Sequence, residues 1–174
     1  MKALVRPTIL LAGVLPLLLS SCLFKDPVFT TGFGRTDDSI VGVWVMEDEA
    51  GDPEKAELAA CFKVDDSHYV LHYPAREKDG VYFSMQQIKV RDRDVLQVRA
   101  LGTLKDRPVR PGDKEVYTLI WFEKLAAGKL NVRPLIGKME KMLPAELRKM
   151  LENPGSDWNQ FFVEAKVFKR VTKD

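Results

Sequence analysis

The sequence predicts a mainly β protein: about eight antiparallel strands, closed or nearly closed into a barrel, with one short helix before the last strand. Three observations predict it. From Ser39 onward, apolar and polar residues alternate with the period of two that a pleated strand imposes. Groups of Asp, Gly, Pro and Ser interrupt the alternation at short intervals, as turns do. The period changes to a helical one only once, late in the chain. Short sequential strands joined by turns make a meander, and closing it removes the unpaired edges that an open sheet exposes. An open sheet or sandwich packed by the helix is the alternative.

The elements follow in order. Residues 40–46, IVGVWVM, form the first strand and end in an acidic, turn-rich loop. In the second strand, Leu58, Ala60, Phe62 and Val64 alternate with Ala59, Cys61 and Lys63. A turn at Asp65-Asp66-Ser67 leads to a third strand over 68–73, which Pro74 ends. Lys78-Asp79-Gly80 turns the chain into a fourth, 81–90, whose phase slips near Gln86 and Gln87 and so predicts a bulge there. Asp92-Arg93-Asp94 precedes a fifth strand, 95–101, and residues 102–114 are a polar loop with two prolines. A sixth strand covers 116–122 and, after Ala126-Ala127-Gly128, a seventh covers 130–135. Leu143, Leu147, Met150 and Leu151 then share a helical face, with Pro144 at the first helical position and Asn153-Pro154-Gly155 as the stop. The last strand runs from about Phe161 to Val171.

The chain of 174 residues has the size of one domain. It reads as three parts: 1–21, a leader that is removed; 22–38, a tether; and 39–174, the β-rich domain. Lys2 and Arg6 form a short positive stretch, and residues 9–19 an apolar run too short to span a bilayer, which needs roughly 20 residues. Without those two cations, Lys and Arg fall from 27 to 25 and equal the 25 acidic residues. A neutral domain offers no net basic face for phosphates, so nucleic acid is not expected as a partner. The tether contains Phe24, Phe29 and Phe33, which are too apolar for a pure linker. They either pack on the domain or dip into a lipid interface.

Leu19-Ser20-Ser21-Cys22 resembles the lipobox of bacterial lipoproteins: a branched apolar residue, two small residues, then cysteine. The resemblance covers the first 22 residues. It implies cleavage after Ser21, a diacylglyceryl group on the Cys22 thiol and acylation of the new amino terminus. Two or three acyl chains anchor a protein stably, whereas one does so marginally. The implied location is the bacterial cell envelope, lipid-anchored, and Leu23 after the cysteine implies passage to the outer membrane. The first strand adds a second resemblance, since Gly42-Val43-Trp44 is similar to the Gly-x-Trp opening of lipocalin-like barrels. In that family the glycine permits a close crossing and the tryptophan plugs the barrel floor. The helix departs from that pattern, because in lipocalins it follows the last strand.

No catalytic constellation is legible. Gly-x-x-x-x-Gly-Lys, Gly-x-Ser-x-Gly and His-Glu-x-x-His do not occur. His68 and His72 would lie about 13 Å apart on one strand face, too far to share a metal ion. Cys61, alone once Cys22 is acylated, has no histidine beside it in sequence to lower its pKa. The acidic loop 47–57 holds six carboxylates in eleven residues without calcium-loop spacing. The basic stretch from Lys89 to Lys114 is interrupted by aspartates, as a solvated face is. Neither a metal nor a cofactor is implied.

The large apolar residues remain. If Trp44 points inward, the matching faces bring in Phe62, Tyr69, Leu71, Tyr73, Phe83, Met85, Val98 and Trp121. Of these, Trp44, Phe62, Tyr69, Tyr73, Phe83 and Trp121 are the candidate ligand-binding residues, with tyrosine hydroxyls to orient an apolar or amphipathic molecule. Alternatively the same residues fill the core. The two cases lead to different proteins: one binds a ligand or an envelope protein, and the other is a structural or assembly lipoprotein whose surface does the work. An enzyme is the least expected.

Overall fold

Apolar side chains recurring every second residue line one face of a sheet, and here the sheet is long enough to meet its own edge. In the computed structural model, which describes residues 24–49, 56–77, 79–103, 116–126 and 128–172, eight antiparallel strands form a closed barrel in chain order. They are β1 (Gly42–Met46), β2 (Leu58–Lys63), β3 (Tyr69–Tyr73), β4 (Val81–Val90), β5 (Arg93–Thr103), β6 (Tyr117–Leu125), β7 (Lys129–Pro134) and β8 (Lys166–Arg170). β8 closes the ring on β1 through the pairs Trp44–Arg170 and Met46–Phe168. One α-helix, α1 (Pro144–Glu152), lies in the β7–β8 connection. Pro144 opens it, the Glu146 carboxylate accepts the Leu143 N–H, and Leu147 and Leu151 are its buried face. The leader, Cys22, residues 50–55 of the acidic loop and residues 104–114 of the polar loop lie outside the described residues.

Two local expectations are corrected. The register shift between β4 and β5 sits at Tyr82/Phe83, not at Gln86 and Gln87, which pair in step with Gln97 and Leu96. The last strand begins at Lys166 rather than near 161, because Trp158–Gln160 form a 3-10 turn and Phe161 and Phe162 are buried against the outside of the barrel.

The two ends of the barrel differ. The short connections that follow β2, β4 and β6 share one end with the start of β1, and the long connections share the other. The short-turn end is sealed. A 3-10 turn at Asp38–Ile40 crosses it, and Trp44 Nε1 donates to the Ile40 carbonyl at 2.9 Å. The Arg170 guanidinium lies 4.9 Å over the Trp44 ring and donates to the Ser39 carbonyl. Gly42 has φ +140°, and a Cβ there would sit 3.4 Å from Arg170 Nε, so glycine answers both the backbone angle and the close crossing. Tyr69, fully buried, accepts the Asp37 N–H on its hydroxyl, and burial pushes its own pKa up to about 12.

Asp37 ties this floor together. The ammonium of Lys124 donates to its carboxylate and holds its pKa down at about 2, with help from the Ser39 N–H. A carboxyl whose folded pKa lies below its unfolded value of 3.8 stabilises the fold above that value and loses the contribution as pH falls towards 2. Asp37→Asn is therefore expected to flatten the fall in stability between pH 4 and pH 2, measured by urea unfolding at each pH. An unchanged slope would remove Asp37 from the acid response.

A second core covers the outer wall of β4, β5 and β6. Phe24, Val28 and Phe29 pack there with Leu135, Met139, Leu147, Leu151, Trp158, Phe161 and Phe162 onto Ile88, Val95, Leu119 and Trp121. Gln97, buried and facing outward, clamps the backbone of Phe29 at two points, accepting its N–H at 2.8 Å and donating to its carbonyl at 3.0 Å. Phe33 forms a bridge with Ile88. Of the two places open to Phe24, Phe29 and Phe33, the structure has the domain wall, so the folded unit begins well before residue 39.

Candidate functional site

Strand parity decides what faces the lumen. β1 sends Trp44 inward, and its partner across β2 is Ala59, with Cys61 two residues on. Cys61 pairs with Leu71 on β3, Leu71 with Phe83 on β4, and Met85 with Val98 on β5. Leu96 faces Ile120 on β6, Phe122 faces Val132 on β7, and Leu130 faces Phe168 on β8. The inner residues at the Trp44 end of the ring are thus small on β2 and large elsewhere, and the lumen is not filled.

What remains is a cavity of about 330 Å³. That is the lower end of the roughly 300–1,000 Å³ that small-molecule sites occupy, and eight strands leave room for one small ligand. Trp44 and Ile40 floor it, and Ala59, Cys61, Leu71, Met85, Leu96, Ile120, Phe122, Leu130, Val132 and Phe168 form its wall. Tyr73, Pro134, Val163, Glu164 and Lys166 stand towards the end of the long connections. The Tyr73 hydroxyl donates to the Glu57 carboxylate. The site is therefore an apolar well with charged groups only at its rim, suited to an apolar body with one polar end.

The structure brings together four of the six candidate residues and separates two. Trp44 and Tyr73 line the cavity, and Tyr69 and Phe83 belong to the same buried cluster just beyond its lining. Phe62 is a correction. It is 54% exposed, because β2 turns its alternate residues Ala59 and Cys61 inward beside Trp44. Trp121 is the second correction. Its neighbours Ile120 and Phe122 face the lumen, so Trp121 faces outward, into the second core. There its ring lies 4.7 Å from the guanidinium carbons of both Arg93 and Arg133. Sequence reasoning missed Ile120, Phe122, Leu130 and Val132, although all four stood in recognised strands.

The chemistry-bearing side chains are accounted for individually. Cys61 lines the cavity, and burial pushes its pKa up to about 12, so it is a neutral thiol at physiological pH. His68 lies in the turn before β3 rather than in it, with Nδ1 3.1 Å from the Asp65 carboxylate. The Ser67 N–H and the His68 ring hold the Asp65 pKa down at about 2. His72 stacks on Tyr82 at 4.1 Å on the outer face, and burial lowers its pKa. Arg91 of the basic stretch donates to the Asn153 carbonyl at 3.3 Å. Among the described residues no three His, Cys, Asp or Glu side chains converge on a metal-sized gap.

Comparison with protein-family models, with curated proteins and with solved structures finds no match for this chain.

Proposed function

We propose that this chain is a non-enzymatic, lipid-anchored protein of the bacterial cell envelope, whose barrel binds one apolar or amphipathic small molecule. The cavity carries the reading: an opening of about 330 Å³, walled by aliphatic and aromatic side chains, with Glu164 and Lys166 at its rim. Burying apolar surface contributes about 25 cal/mol per Å², so an alkyl chain gains most of its affinity simply by leaving water. The floor supports a blind-ended well, since Trp44 and Arg170 seal it. It also suits the Gly-x-Trp resemblance, with Gly42 at the close crossing. The anchor rests on the lipobox at Cys22. A non-enzymatic role is favoured by the neutral thiol of Cys61 and by the position of His68 at a surface turn, away from the cavity.

One measurement tests both halves. Native mass spectrometry of the protein purified from its own envelope is expected to give a covalent mass matching a chain that starts at Cys22 and carries acyl groups. It is also expected to give a second, non-covalent increment that mild activation removes. A full-length, unacylated mass would sink the anchor, and an acylated protein that is always empty would sink the ligand.

A further inference from the structure

The anchor and the cavity are linked by the path of the first described residues. Phe24 is joined to the first residue of β6: its N–H donates to the Tyr117 carbonyl at 2.6 Å, and its carbonyl accepts the N–H groups of Val116 and Tyr117 at 2.9 Å. Tyr117 lies at the end of β6 that meets the long connections, the end at which Tyr73, Pro134 and Lys166 line the cavity, and Leu125 lies at the end sealed beneath Trp44. From Phe24 the chain descends the outer wall. Gln97 clamps Phe29, Phe33 bridges to Ile88, and the Thr36 N–H reaches the Asp66 carbonyl in the β2–β3 turn of the floor. The segment is thus fastened at intervals from rim to floor, and Phe24 is the first point of attachment.

Cys22 precedes Phe24 by two residues, so their Cα atoms are at most about 7 Å apart. The eight steps from Tyr117 to Leu125 extend about 26 Å along the strand. Cys22, the point at which the acyl chains enter the bilayer, therefore stays near the Tyr117 end of β6 and cannot come level with the floor. We propose that the anchor holds the open rim of the barrel, and not its sealed floor, against the bilayer. The surface that the rim faces is then a phospholipid headgroup layer, and the cavity opens onto it. An amphiphile leaving that layer enters the well without crossing bulk water. This inference rests on the anchored reading of Cys22.

The test uses the acylated full chain in phosphatidylcholine vesicles that contain a headgroup-nitroxide lipid. A fluorophore is placed at Glu77→Cys, exposed in the β3–β4 connection of the rim, or at Asp66→Cys or Asp92→Cys, exposed in turns of the floor. Each variant carries Cys61→Ser so that only the introduced thiol is labelled, and intact mass checks acylation of each. Loss of fluorescence at the rim position and none at either floor position is the expected result. Equal loss at rim and floor, or loss at the floor alone, in an acylated protein overturns the orientation and leaves the anchor standing. Unacylated protein that does not bind the vesicles overturns both.

Discussion

Replacing Trp158 by alanine is expected to cost about 3–5 kcal/mol of stability, the range for removing a buried aromatic side chain. Trp158 is 1% exposed and makes no contact with the lumen, yet it joins three parts of the second core. Its ring stacks on Phe162 with centroids 5.4 Å apart and meets Trp121 edge-on at 5.6 Å. The Arg93 guanidinium carbon lies 4.8 Å from its ring centroid, within cation–π range. Truncation removes all three contacts and leaves a void between the β7–β8 connection and the barrel wall. Chemical denaturation measures the loss. The wall between the two cores gives a second readout: below its lowered melting temperature, the variant is expected to keep a working cavity. A loss under 1 kcal/mol would mean that the outer core contributes little to folding.

That outer core explains which parts of the molecule were legible in its sequence. Strand count and order followed from the period of two and from turns such as Asp65-Asp66-Ser67, since both depend on local chemistry. α1 was legible for the same reason, through Pro144 and the spacing of Leu147 and Leu151. Face assignment was legible only where one face of a strand meets water. β6 reads TLIWF, apolar on both faces, because the lumen takes Ile120 and Phe122 while the second core takes Leu119 and Trp121. A continuous apolar run has no phase, so Trp121 could not be assigned a side. In β2 the largest residue, Phe62, is exposed, and the small Ala59 and Cys61 lie on the Trp44 side. Size alone therefore misassigns that strand.

The second core left a different trace. Phe24, Phe29 and Phe33 stand in a stretch with no period, as do Trp158, Phe161 and Phe162. Large apolar residues without a period belong to segments that dock on a surface built by others. Two such segments, one near each end of the chain, are what cover the outer wall of β4 to β6. The hollow lumen left no trace, because empty volume depends on how eight inner faces fit together rather than on any one of them.

The second large effect concerns that volume. Ala59 lines the cavity directly beside Trp44. A phenyl ring in its place projects into space that a ligand would use. If it excludes about four methylenes of an alkyl chain, at about 0.8 kcal/mol each, affinity falls by about 3 kcal/mol, or roughly 100-fold. The ring enters existing space, so the cost to folding should fall below the roughly 1–3 kcal/mol of overpacking a dense core. Cys61→Phe, on the same strand and also in the lining, repeats the test at a second position in case one variant misfolds. Phe62→Ala is the control, since that side chain lies on the outer face.

Fluorescence titration of the delipidated protein with anilinonaphthalene sulfonate, an apolar dye with one charged end, reads the outcome. A single saturable site is predicted, weakened about 100-fold by Ala59→Phe and left alone by Phe62→Ala. If folded Ala59→Phe and Cys61→Phe proteins take up the dye as well as the parent, the well in the barrel is not where such molecules bind.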